Sequence, residues 1–229
     1  MRLDRLLGQH PRWSRRHVRQ LLALGQVRVN GQPQHQATWE VTRFCRVEAD
    51  GELLQAGQAA HYLMLHKPAG LLSATEDPLH PTVMTLLPQA LQGELHIAGR
   101  LDRASTGLLV LTNDGNWSRR LTDPASDKAK TYRVTLANPV DPDTARVFAE
   151  GIHFPFEDIV TRPVQLEQLG EREVRLTLTE GRYHQIKRMF GRFRNPVLAL
   201  HRESMGPLQL GTLPQGQYRR LTDAEVAAI

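Results

Sequence analysis

Gly99-Arg100-Leu101-Asp102-Arg103-Ala104-Ser105-Thr106-Gly107 is the stretch on which the reading of this chain turns. An apolar segment, Leu95 to Ala98, precedes it, and an apolar run, Leu108 to Leu111, follows. The pattern predicts a loop between two buried strands with one acid at its centre. Arg100 and Arg103 flank Asp102, and neighbouring cations hold a carboxylate in its charged, nucleophilic form. A loop aspartate can equally do no more than cap a turn. This stretch alone leaves both roles open.

Outward from it, strands and helices mix without strict alternation. Tyr62 to Leu65 reads as a buried strand, ended by the turn His66-Lys67-Pro68-Ala69-Gly70. Residues 73–82 form a polar loop of the kind that tends to carry function. After the strand through Leu111, Asn113-Asp114-Gly115 reads as a turn. Lys130 to Leu136 and Val174 to Leu178 alternate as strands, with a helix between them around Pro142 to Gly151. Ile186, Met189 and Phe190 have helical spacing, Pro196 ends that segment, and Leu198-Ala199-Leu200 reads as a further strand. The expectation is an α+β fold with a mixed, largely antiparallel sheet over residues 61–229.

The first 57 residues read as a separate, smaller domain of two helices and a hairpin. Leu3, Leu6 and Leu7 share one face of a short helix. Ser14 is placed to N-cap a second helix and Gly25 to end it. Val18, Leu21 and Leu22 form that helix's apolar stripe, and Arg15, Arg16 and Arg19 project from the other side. Val27 and Val29 alternate as a strand, and Asn30-Gly31 is a hairpin signal. Gln55 to Ala60 is small, polar and aperiodic, which predicts an interdomain linker.

Composition bounds the setting. With 229 residues, 40% hydrophobic and 23% charged, the chain fits one or two globular domains. No apolar stretch approaches a membrane span, Met1-Arg2-Leu3-Asp4-Arg5 lacks the apolar region of a secretion signal, and Cys45 is the single cysteine. A cytoplasmic protein without disulfides is expected. The ten histidines give no i, i+4 pair with a glutamate between, and there is no thiolate set, so no metal site is expected. The net charge is +5. Residues 1–30 carry seven arginines against Asp4 alone, and residues 181–202 carry Arg182, Lys187, Arg188, Arg192, Arg194 and Arg202 against no acid. Two such blocks can track phosphates together or stand as two solvated faces.

Two resemblances narrow these readings. Residues 1–50 resemble the S-four RNA-binding module, on Arg2 to Leu7, on Ser14-Arg15 with Leu21-Leu22, and on Gly25 to Gly31. The resemblance weakens at its end, where Val41 to Glu48 lacks the Gly-Asp turn that usually precedes the module's last strand. Four later segments are similar to the RsuA-type pseudouridine synthases: His66 to Gly70; Gly99 to Asp102 with Ser105-Thr106-Gly107; Lys130-Thr131-Tyr132; and Gly181 to Met189. Thr75 to Thr82 and Leu200 to Glu203 look like the branch that modifies 16S rRNA.

The family resemblance implies conversion of a uridine to pseudouridine, a redox-neutral isomerisation that needs neither cofactor nor metal. It makes Asp102 the catalytic nucleophile or base, Tyr132 an aromatic wall for the base, and Lys187 the cation paired with the aspartate. Tyr132 can also be an ordinary sheet tyrosine, and Leu200 either packs under the base or is plain core. Arg100, Arg182, His184, Gln185 and Arg188 are expected to contact RNA or keep the motif's shape, with Arg15, Arg16 and Arg19 binding RNA from the first domain. The expected partner is 16S rRNA in a small-subunit assembly intermediate, engaged by a monomer. An aspartyl-phosphate enzyme does not fit, because no second aspartate sits two positions after Asp102. An aminoacyl-tRNA synthetase does not fit, because no nucleotide-binding signature appears. Action on 23S rRNA, and a non-catalytic RNA-binding assembly factor, remain as alternatives.

Overall fold

Ser14 and Gly25 bracket the first well-defined helix. The Ser14 hydroxyl accepts from the His17 amide at 3.2 Å, and Gly25 leaves the helix with φ +67°. The computed structural model describes all 229 residues and divides into two compact units, Met1–Ala60 and His61–Ile229.

In the first unit, helices α1 (Leu3–Leu7) and α2 (Arg15–Ala23) cover a small antiparallel sheet. Its strands are β1 (Val27–Val29), β2 (Gln32–Pro33), β3 (Val47–Ala49) and β4 (Glu52–Gln55), in the order β2-β1-β3-β4. Leu3, Leu7, Val18, Leu21, Leu22, Val27 and Val47 meet in one buried cluster. Each such side chain contributes about 1.5–3 kcal/mol by leaving water. Two hairpins close the sheet, at Asn30-Gly31 and at Asp50-Gly51, all four residues having positive φ, as type I′ turns require. The second corrects the sequence reading: the module's end is a regular hairpin, signalled by an Asp-Gly pair lying just beyond Glu48.

The expected linker at 55–60 does run up to the division between the two units, but it starts inside a strand and packs on the first unit. Gln55 closes β4, and its side-chain amide donates to the carbonyls of Thr42 and Cys45, both at 2.7 Å. A Cβ at Gly57 would lie 2.8 Å from the Phe44 carbonyl oxygen, and the Gln58 amide donates to the Arg43 carbonyl at 2.9 Å. The small, polar composition reflects close packing of backbone on backbone, not a free tether.

The second unit runs β5 (Tyr62–Lys67), α3 (Gln89–Gln92), β6 (His96–Ala98), β7 (Thr106–Thr112), α4 (Gly115–Thr122), β8 (Lys130–Leu136), α5 (Thr144–Glu150), β9 (His153–Phe154), β10 (Ile159–Val160), β11 (Gln165–Gln168) and β12 (Glu173–Leu178). It ends with α6 (Gln185–Gly191), β13 (Val197–Met205), β14 (Leu208–Gln209), β15 (Tyr218–Arg220) and α7 (Asp223–Ala227). The main sheet has the order β11-β12-β8-β13-β7-β5-β15, with β14 on β13 and β6 on β7. Every pairing is antiparallel except β13 with β7. One face packs Leu65, Leu109, Val134, Phe148, Met189 and Phe190; the other packs Met64, Leu108, Trp117, Leu121 and Met205.

Two segments differ from their sequence reading. Asn113-Asp114-Gly115 is the start of α4, not a plain turn. Asp114 accepts from the amides of Asn116 and Trp117 at 3.1 Å each, and Trp117 then packs into the core. His66 and Lys67 continue β5 rather than turning.

Candidate active site

Asp102 lies in the loop 99–105 that joins β6 to β7. The loop leaves the sheet where one edge of β7 changes partner. Thr106 and Gly107 pair with His201 and Arg202 of β13, whereas Val110 to Thr112 pair with β6. Arg202 fills that junction and is only 1% exposed. Its Nε donates to the Leu108 carbonyl at 2.8 Å, Nη2 to that of Gly99 at 2.9 Å and Nη1 to that of Arg100 at 3.4 Å. The same junction dictates Gly107, which has φ +110° and whose Cβ would stand 2.3 Å from the Arg202 carbonyl oxygen; a side chain cannot be placed there.

The rest of the loop is held from the other side. Ser73 Oγ donates to the Leu101 carbonyl at 2.8 Å and accepts from the Leu101 amide at 3.1 Å. Lys67 is fully buried and donates Nζ to the carbonyls of Pro68 (3.0 Å), Arg103 (3.2 Å) and Ser105 (2.8 Å). Burial pulls its ammonium pKa down to about 8, against the opposing pull of the Asp102 carboxylate. The Gly70 amide adds a bond to the Arg103 carbonyl at 2.8 Å.

The carboxylate itself meets α6 and the turn before it. Asp102 Oδ2 accepts from Lys187 Nζ at 3.2 Å and lies 3.4 Å from His184 Nε2. Oδ1 accepts no hydrogen bond. His184 has φ +48° and stands at the helix N-terminus, so it and Lys187, three residues on, reach one point. The turn is fixed by a buried acid. Glu180 accepts from the Gln185 amide at 2.6 Å, from Arg182 Nε at 3.1 Å and from the Arg162 backbone amide at 3.0 Å. Gln185 Oε1 in turn accepts from the Arg182 amide at 3.0 Å.

Asp102, Lys187, Tyr132, Ile186 and Leu200 line one pocket of about 110 Å³, whose other walls include Arg100, Arg182, His184 and Gln185. Tyr132 is 7% exposed and presents its ring there from β8, with the Arg202 guanidinium 6.0 Å from its centroid. Two basic residues do not join the site. Arg188 turns away into a bidentate pair with Glu157, at 2.6 and 2.5 Å, and lies 3.7 Å over the Phe154 ring. This pair holds Arg188 outside the pocket that Asp102 lines. Arg202, counted in a basic surface block, is core. Gln185 is 3% exposed and spends its amide on Glu180 and the Arg182 backbone, so it shapes the turn. In the first unit Arg15, Arg16 and Arg19 are exposed, and Arg15 and Arg19 border a cavity of about 410 Å³ beside Trp13.

The geometry is a carboxylate held by a lysine and a histidine beside an aromatic-walled pocket, and comparison with known proteins supplies the family. Residues 61–191 match the family model described as RNA pseudouridylate synthase, and residues 1–43 match the S4 domain. The chain belongs to the RNA pseudouridylate synthase family. It is 55% identical, over the whole of both chains, to the ribosomal small subunit pseudouridine synthase A of Pseudomonas aeruginosa, and 42% identical to that of Escherichia coli, again over the whole of both. It is also similar to a crystal structure of a pseudouridylate synthase, with a TM-score of 0.72 and 38% identity over 100% of this chain and 99% of that one. No helix is long and apolar enough to cross a membrane.

Proposed function

We propose that this protein converts one uridine of 16S rRNA to pseudouridine, with Asp102 as the reacting group. In the reaction the N1–C1′ bond breaks, the uracil turns, and C5 bonds to C1′; the C5 proton leaves and N1 gains one, so the product is an isomer. The observation that carries the reading is the asymmetric carboxylate: Oδ2 is engaged by Lys187 and His184 while Oδ1 is unpartnered. A carboxylate so held can add to C1′ or take a sugar proton with its free oxygen. Tyr132 and Leu200 line the pocket beside that carboxylate, and an aromatic wall offsets the stacking that a flipped base loses.

The choice of RNA draws on relatives that match end to end and are named for the small ribosomal subunit. The substrate is a partly assembled small subunit, because arginines on two separate units call for a large, shaped polyanion. The test incubates purified protein with deproteinised 16S rRNA, with small-subunit assembly intermediates and with 23S rRNA, then locates pseudouridine by chemical modification and primer extension. One new site in 16S rRNA, strongest in the intermediates, is expected. Modification confined to 23S rRNA overturns the substrate; modification of none, with binding intact, overturns catalysis.

A further inference from the structure

A second concavity, of about 440 Å³, continues from the Asp102 pocket and shares Arg100, Asp102, Arg182 and His184 with it. Tyr132, Ile186, Lys187 and Leu200 line only the first pocket. The remaining walls of the second include Leu72, Ser73, Arg103 and Tyr183. Tyr183 is the unusual member. It is 76% exposed, and one face lies on the His184 imidazole with centroids 3.9 Å apart and planes 19° apart. It makes no other ring contact. The segment that carries it is firmly held, with Glu180 and Gln185 buried and bonded on one side and the left-handed His184 on the other. A large flat ring is thus presented to solvent, on a fixed turn, within one residue of a side chain that touches the catalytic carboxylate.

Flipping one nucleotide leaves each neighbouring base with a bare stacking face. A protein aromatic can take that face with little regard to base identity. Arg100, Arg103 and Arg182 are exposed around the same concavity and suit the phosphates of the strand. We propose that this concavity binds the nucleobase of a nucleotide adjacent to the target uridine, stacked on the open face of Tyr183, with the surrounding arginines at its phosphates. The inference rests on the uridine-isomerase reading above and adds a second base site to it.

The test uses the full chain and 16S rRNA assembled by ligation, so that the nucleotide on one side or the other of the modified uridine is abasic. Binding affinity and kcat/KM are measured with each RNA. For the wild-type protein, one of the two abasic RNAs is expected to bind about tenfold more weakly. Tyr183→Ala should lose about the same factor on intact RNA and then be indifferent to the abasic position. Tyr183→Trp and Tyr183→Phe should keep both the affinity and the discrimination, which a purely structural role would not require. Equal binding of all three RNAs by the wild-type protein, or an undiminished abasic effect in Tyr183→Ala, overturns the base site. Formation of pseudouridine in intact RNA reports on the parent reading separately, and the binding comparison stands whether or not turnover is seen.

Discussion

Arg15, Arg16 and Arg19 of the first unit and Lys67 and Arg202 of the second are all cations, and they are used in opposite ways. The three arginines stand in solvent and make no ion pair or side-chain hydrogen bond. Lys67 and Arg202 are buried and give their donors to backbone carbonyls in and beside one loop. Exposed charge is cheap to keep and acts at a distance, so it supplies affinity that falls with salt. Buried charge is costly to desolvate and is retained only where several acceptors surround it. What it supplies is position. On the proposed function, the molecule separates holding RNA from holding Asp102.

The largest expected effect tests the position side at its centre. Asp102→Asn is nearly isosteric, and it should lower pseudouridine formation by more than about a thousandfold while changing RNA affinity by no more than a few-fold. Single-turnover assays and filter binding check both halves, and substantial turnover would remove Asp102 from the chemistry. Next, Arg202→Met leaves the Gly99 and Leu108 carbonyls without their partner and should cost about 3 kcal/mol in urea unfolding. It should also lower kcat without raising KM. A variant that is less stable but turns over normally would show that the loop does not need this clamp.

The affinity side makes a smaller effect. Replacing Arg15, Arg16 and Arg19 together by glutamine should weaken rRNA binding about tenfold near 0.15 M salt and flatten the log–log salt slope by about 2. Its kcat at saturating RNA should stay within about twofold of wild type. An unchanged slope would mean that these arginines never reach phosphate. The smallest effect is in pH. The Lys67 ammonium sits at about 8 in the fold against 10.5 in an unfolded chain. Below about 8 both states hold the proton and the burial penalty is constant. Above it the folded protein releases the proton first, so this group makes stability rise with pH, by up to about 1.4 kcal/mol per unit. Denaturant midpoints from pH 7 to 9.5 should therefore climb more steeply for wild type than for Lys67→Met; parallel curves would show that Lys67 stays charged.

The part of this division visible in the sequence is the part made of side chains answering side chains. Asp102 between two arginines and Ser14 before an arginine-faced helix are both local patterns. Lys67 and Arg202 were not legible as clamps because their partners are backbone carbonyls, which every residue has and no sequence distinguishes. Lys67 therefore read as part of a turn and Arg202 as surface charge. The only signal is a lysine two residues past the apolar run that ends at Leu65, immediately ahead of Pro-Ala-Gly. Helix α4 was missed because Asp114 is both a turn former and an N-cap, and only the burial of Trp117 and Leu121 decides between them. The commitment of Arg188 to Glu157 spans 31 residues, beyond the reach of local reading.

The split edge of β7 has a mechanical consequence. The loop at that split is fastened at Gly99, Leu101, Arg103 and Ser105, and on the proposed function it is expected to keep its shape against an incoming strand. In that reading the protein acts as a die and the nucleic acid as the workpiece. Adaptation during docking falls on the RNA, whose backbone must bend until the target sugar meets a carboxylate that is already in place. An RNA held stiff in a duplex is a poor substrate on this account even when its sequence is right, because the work of deformation cannot be shared.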